Sequence, residues 1–116
     1  MTWLEGKTRN PTPPGARLRQ LLERPEILGV PGAHNALAGL LAQEQGFEAL
    51  YVSGGGVTLT LGLPDLGIMG LDELCFVTRM ISRATDLPLI VDGDVGYGGQ
   101  LNAKRTVREQ ENAGAA

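Results

Sequence analysis

Asp92 and Asp94 stand two residues apart, directly after the apolar run LPLIV, in the segment DGDVGYGG at 92–99. If the backbone stays extended there, both carboxylates point to one side, and two such charges call for a cation or a shared proton. Magnesium suits the pair. It takes hard oxygen ligands in octahedral geometry, keeps several waters, and is usually held by one or two carboxylates with the substrate completing the shell. The D-x-D-x-G pattern also opens a calcium-binding EF-hand loop, but the fifth position here is Gly96 and the twelfth is Ala103, where that loop needs a bidentate Glu. The rival reading is that the two aspartates form a turn with Gly93 or cap the helix that follows.

A second cluster, Ser53-Gly54-Gly55-Gly56, follows the apolar run ALYV. Consecutive backbone N–H groups without side chains can cradle an anion at close range, although a plain loop has the same composition. Neither glycine cluster satisfies GxGxxG and no GK[ST] is present, so dinucleotide and P-loop readings lack support and a small organic acid is the better ligand. Tyr51 lies two residues before Ser53 on the same strand face, so its hydroxyl either points at the same anion or packs in the core. His34, the only histidine, sits beside Asn35 in an earlier loop with no nucleophile next to it, which favours a supporting role over general-base work. Cys75 falls in an amphipathic stretch with Leu74, Thr78 and Ile81 and reads as a small core residue.

These residues are far apart in sequence, and the elements between them say how they could meet. Residues 11–15 hold three prolines and a glycine, so 1–15 is expected to be a mobile lead-in. Residues 16–23 place Leu18, Leu21 and Leu22 on one helical side, ahead of Pro25. A repeat then begins. Apolar runs at 27–30, 49–52 and 87–91 predict strands, each leads into a glycine-bearing loop, and helices are expected at 36–45, 71–84 and 101–112. Strands that are apolar throughout, separated by helices, indicate a parallel α/β sheet covered on both faces. Loops leaving the carboxyl ends of such strands share one edge, so Asn35, Tyr51, Ser53, Asp65, Asp92 and Asp94 can converge. Three β/α units leave open edges, and a closed (β/α)8 barrel takes about 250 residues, so 16–116 is expected to be an incomplete barrel, the N-terminal part of something larger.

Composition bounds the partners. The 116 residues carry 10 Lys plus Arg against 13 Asp plus Glu, a net charge of −3 without a basic block, which argues against nucleic acid. Seventeen glycines are about twice the usual share of ~7%, and they cluster beside carboxylates. A lone Cys and no CxxC fit a reducing compartment, no apolar run reaches the ~18 residues of a membrane span, and the start lacks a signal-peptide core. The expectation is a cytoplasmic protein without a membrane partner, with an organellar leader as the alternative because five basic residues precede residue 25.

Three motifs in order carry a family resemblance: PGAHNALAGLLAQEQGFEALYVSGGG, then LGLPDLGI, then LPLIVDGDVGYGG followed by LN and RTV. From residue 18 to the end the chain resembles the N-terminal part of the isocitrate lyase/phosphoenolpyruvate mutase superfamily, its methylisocitrate-cleaving branch above all. The resemblance implies a (β/α)8 barrel, a Mg²⁺ or Mn²⁺ ion, homo-oligomeric full-length relatives, and cleavage of a carbon–carbon bond in a 2-hydroxy tricarboxylate to pyruvate and succinate. It also implies that Asp65, Asp92 and Asp94 form the metal site. Tyr51, Ser53, Gly54 and Gly55 match the segment that holds the pyruvate carboxylate, with Tyr51 also the catalytic candidate.

The chain departs from the pattern where a proton is needed. The lyases carry their catalytic cysteine in a Lys-x-Cys-Gly-His loop; these residues contain none, and Cys75 does not match it. The 116 residues alone are therefore expected to be inactive. Gly70 stands where Ser or Thr would cap a helix better, and Ala103 where a larger apolar residue is usual. Rival readings are an oxaloacetate decarboxylase or phosphonomutase sharing the metal site, and a non-catalytic remnant that pairs through open strand edges.

Overall fold

The computed structural model describes residues 10–116. Five helices and two strands follow in the order α1 (Pro14–Leu22), α2 (Ala36–Glu44), β1 (Leu50–Val52), α3 (Gly54–Thr60), α4 (Leu71–Ala84), β2 (Leu89–Val91) and α5 (Gln100–Ala113). The class is α/β, and β1 pairs with β2 in parallel, Leu50 opposite Leu89 and Val52 opposite Val91.

Helix α1 begins earlier than its sequence suggests. Pro13 caps it and Pro14 occupies the first turn, where a missing N–H costs nothing and a fixed φ favours the helix. The expected lead-in therefore ends at Pro13, and its residues 1–9 lie outside the described part. The leucine side of α1 is only partly covered, Leu22 being 60% exposed. Half-buried Leu18 and Leu21 are joined by polar contacts: Arg17 donates to the Asp86 carbonyl, pairs with the Asp86 carboxylate at 3.4 Å, and reaches the Thr12 carbonyl at 3.2 Å.

The strand expected at 27–30 does not form, and Ile27 is 98% exposed. Pro31 lacks the N–H that a ladder needs, so pairing is postponed past it. A single parallel bridge joins Gly32 to Tyr51, with Tyr51 N–H donating to the Pro31 carbonyl at 2.9 Å and Ala33 N–H to the Tyr51 carbonyl at 2.8 Å. The other strands form but are shorter than their apolar runs, because Pro88 cannot donate within β2.

Leu50, Val52, Val57, Leu74, Ile81 and Leu89 are fully buried and join sheet to helices. Gly39 lets α2 approach closely: a Cβ there would lie 3.2 Å from Thr85 Cγ2 and 3.3 Å from Ile81 Cγ2. Beyond α5, Gly114 turns the chain at φ 108° and Ala116 N–H donates to the Leu89 carbonyl at 2.9 Å, along the far edge of β2. No described helix is long and apolar enough to cross a membrane.

Candidate functional site

The carboxyl ends of β1 and β2 lie side by side, as parallel pairing requires, so the segments leaving them share one edge. Between those segments is a cavity of about 380 Å³ walled by Gly54, Gly55, Thr58, Asp65, Gly67, Met69, Asp92 and Asp94. Three carboxylates separated by up to 29 residues thus share one wall.

Each reaches it differently. Asp92 directly follows β2, its N–H bonded to the Val52 carbonyl at 3.0 Å. Its Oδ1 accepts the Asp94 N–H at 2.9 Å, while Oδ2 faces Gly54. The extended D-x-D expected from the sequence is not what forms: Asp94 sits at φ 49°, in the left-handed region, because the Asp92 side chain closes a turn on it. Turn formation, the rival to metal binding in the sequence, thus occupies one oxygen of the Asp92 carboxylate and leaves the other facing Gly54. Asp65 enters from the long loop after α3, whose return is fixed by Leu63 N–H on the Thr58 carbonyl at 3.1 Å and by buried Met69.

The glycine cluster is a helix start rather than a loop. Ser53 caps α3, its hydroxyl oxygen accepting Gly56 N–H at 3.3 Å, and Gly54 opens the first turn. Proximity constrains the second of these glycines: a Cβ at residue 55 would lie 2.9 Å from Asp65 Oδ2, whereas one at residue 54 would meet Asp92 Oδ2 at 3.4 Å, an ordinary contact. First-turn amides have no intrahelical acceptor, which leaves those of Gly54 and Gly55 able to donate outward.

Tyr51 and Ser53 do not line this cavity. Tyr51 is half-buried at the centre of β1, and the Ser53 hydroxyl, while capping, keeps its own proton to donate. His34 is exposed near the start of α3, and Asn35 caps α2 by accepting Ala38 N–H at 2.8 Å. Cys75 is buried and takes a hydrogen bond from Gln110 Nε2 at 3.3 Å; burial pushes its thiol up, so it stays protonated.

Sequence reasoning did not single out Thr58, Gly67 or Met69 on the wall, nor Tyr97 beside it. Thr58 bonds back to the Gly54 carbonyl at 2.7 Å. Tyr97 has φ 59°, a buried hydroxyl without a partner, and a phenol pushed up to about 12, first by burial and then by Asp94 and Asp92. Glycines at 96 and 98 were the available signal that the backbone around it turns left-handed.

Among the described residues, no three His, Cys, Asp or Glu side chains stand close enough to form a ready-made metal cluster. The donor set is nonetheless all oxygen and anionic, in space that glycines keep open. That fits an ion held by one or two carboxylates, with waters and a bound acid supplying the rest.

Comparison with known proteins decides the family. A family model described as phosphoenolpyruvate phosphomutase matches residues 18–116. The chain belongs to this family, within the phosphoenolpyruvate mutase/isocitrate lyase superfamily. It is 47% identical over 116 residues to a 2-methylisocitrate lyase of Bacillus subtilis, covering 100% of this chain and 38% of that one. It is 50% identical over 103 residues to a 2-methylisocitrate lyase of Aeropyrum pernix, covering 89% and 33%. The chain therefore spans about a third of the length of these relatives. Among solved structures it resembles 2,3-dimethylmalate lyase, with a TM-score of 0.82 and 34% identity, over 90% of this chain and 38% of that one. It also resembles phosphonopyruvate hydrolase in complex with oxalate and Mg²⁺, with a TM-score of 0.84 and 30% identity, over 90% and 37%.

Proposed function

We propose that this protein is a Mg²⁺- or Mn²⁺-dependent carbon–carbon lyase of the 2-methylisocitrate lyase type, cleaving a 2-hydroxy tricarboxylate to pyruvate and succinate. In this reading the chain supplies the metal and pyruvate half of the site, at the strand ends of a (β/α)8 barrel. The observation that carries it is the cavity where Asp65, Asp92 and Asp94 share a wall with Gly54 and Gly55, in a chain 47–50% identical to methylisocitrate lyases.

Asp65, Asp92 and Asp94 would hold the ion between them, one or two directly and the remainder through water. When bound, it supplies Lewis-acid stabilisation of the charge on a substrate hydroxyl oxygen that becomes a carbonyl as the carbon–carbon bond breaks. The Asp92 carboxylate is pre-oriented, since the Asp94 N–H fixes one of its oxygens. Gly54 and Gly55 let a substrate carboxylate approach the start of α3, and Ser53 retains a hydroxyl proton to give it. Tyr51, two residues before Ser53 on β1 and off the cavity wall, is assigned to the same carboxylate by the family resemblance. The departing carbanion needs a proton, and Cys75, buried and held as a thiol away from the cavity wall, is not its source. A small organic acid is the ligand class.

The test is incubation of the protein, translated from its whole reading frame, with 2-methylisocitrate and Mg²⁺. Equal amounts of pyruvate and succinate are expected, and none from Asp94→Ala. Turnover of oxaloacetate or phosphonopyruvate instead would move the protein to another branch of the superfamily. The 116 residues alone are expected to release no pyruvate, because they hold no Lys-x-Cys-Gly-His segment; release by them would overturn that division of labour.

A further inference from the structure

Four of the five residues 94–98 have positive φ: Asp94 at 49°, Gly96 at 88°, Tyr97 at 59° and Gly98 at 140°. Asp94 and Tyr97 are the only non-glycine residues with positive φ among those described. Left-handed backbone is disfavoured for such residues and persists only where surroundings enforce it. These residues form the turn that carries two of the three cavity carboxylates; the Asp92 side chain holds its Asp94 end, which leaves the Gly96–Gly98 end to contacts from outside the turn.

The start of α5 does not supply these, since Gly99 provides no side-chain cap. Two turns further along, the buried Thr106 hydroxyl reaches back and donates to the Gly96 carbonyl at 2.8 Å. The approach is close: a Cβ on Gly96 would lie 2.8 Å from Ala103 Cβ. Ala103, smaller than the apolar residue usual at that position, is what admits the turn against α5. The Tyr97 ring meanwhile packs on the core cluster, so the turn is pinned at adjacent residues by a hydrogen bond and by an apolar contact.

We propose that Thr106 is a positioning residue for the candidate metal site: its hydroxyl ties Gly96 to α5 and thereby fixes the strained turn that presents Asp92 and Asp94 to the cavity. This inference rests on the metal reading given above. The competing explanation is ordinary helix chemistry, because the same hydroxyl lies 2.9 Å from the Asn102 carbonyl, four residues back within α5. One proton serves two acceptors, and only the longer-range bond bears on the site.

The experiment compares Thr106→Val, Thr106→Ser and Thr106→Ala with the unaltered protein by amide hydrogen exchange and by Mn²⁺ titration. Exchange across residues 93–99 is expected to rise about tenfold in the Val and Ala variants and to stay near the original rate with Ser, while β2 and α4 are unchanged. The Mn²⁺ dissociation constant is expected to rise in parallel by about tenfold, as for other groups that orient metal ligands. If Thr106→Val does not fold, the Ser and Ala variants, which differ by one hydroxyl, carry the same comparison. Unaltered exchange across 93–99 in folded variants lacking the hydroxyl would overturn the tether. Faster exchange with unaltered Mn²⁺ affinity would overturn its positioning role. Failure of the unaltered protein to bind Mn²⁺ would instead remove the metal reading, leaving exchange to decide the tether.

Discussion

The Cβ that Gly55 lacks would lie 2.9 Å from Asp65 Oδ2, closer than side-chain carbons approach other atoms. Position 55 is therefore constrained by a carboxylate ten residues later rather than by its own backbone, which is ordinary helix. Gly55→Ala should separate stability from function. Alanine favours the helix by up to about 1 kcal/mol over glycine, and the displaced atom is the free end of a side chain, so the melting temperature should hold or rise. Mn²⁺ affinity should fall by about tenfold as Asp65 is pushed from the wall. Gly54→Ala, whose Cβ would meet Asp92 Oδ2 at an ordinary 3.4 Å, is the control and should leave Mn²⁺ affinity near the original. Thermal melts and Mn²⁺ titration of both variants check this.

Tyr97 should make the protein sensitive to high pH. Its folded phenol titrates at about 12, chiefly through burial, against about 10 for an unfolded tyrosine. Above pH 10 the unfolded chain releases this proton while the folded one keeps it. The contribution is thus complete below pH 10 and is lost as pH rises towards 12. Tyr97→Phe should lessen that loss, read as the difference between variant and original in urea midpoints at pH 8 and pH 11. The Tyr97 hydroxyl is buried without a partner, so at pH 8 phenylalanine should be neutral or stabilising by about 1 kcal/mol.

Gly114 closes α5 at φ 108°, and a Cβ there would lie 2.6 Å from Ser82 Cβ and Oγ. The Ser82 hydroxyl donates to the Ala113 carbonyl at 2.8 Å, so it has little freedom to move aside. Gly114→Ala combines left-handed strain with overpacking and should destabilise by about 2–4 kcal/mol. Gly46→Ala is the matched control, because it has φ 87° with open space around it, and should cost only about 1 kcal/mol. Denaturant unfolding of both variants separates the two terms.

The parts legible in the sequence were those fixed by local pattern. Helix α4 was expected at 71–84 and spans those residues, because its apolar periodicity is strong and Glu73 accepts the Gly70 N–H at 2.7 Å, supplying the start that Gly70 itself cannot. Helix α5 exceeds its expectation by one residue at each end. Where local pattern and pairing conflict, reading fails. Residues 27–30 look like a strand but precede Pro31, which cannot extend the ladder. Ser53 to Gly56 look like a loop because three glycines hide the periodicity, yet the Ser53 cap and buried Val57 make a helix of them. At the site, Asp92 and Asp94 were visible from spacing, whereas their turn depends on Thr106 and Ala103 ten or so residues on. Asp65 joins them through a loop return fixed by Thr58 and Met69, which no spacing rule contains.

Mn²⁺ titration of the protein, with and without oxalate and followed by the electron paramagnetic resonance of the free ion, tests the assignment of Asp65, Asp92 and Asp94 most directly. Asp92→Asn is the informative variant, since asparagine keeps an oxygen for the Asp94 N–H while removing the charge. The unaltered protein should bind one Mn²⁺, more tightly when oxalate is present, and Asp92→Asn should weaken binding by about tenfold or more without changing the fold. Equal Mn²⁺ affinity in the two proteins, or none in either, would contradict a metal site at this cavity.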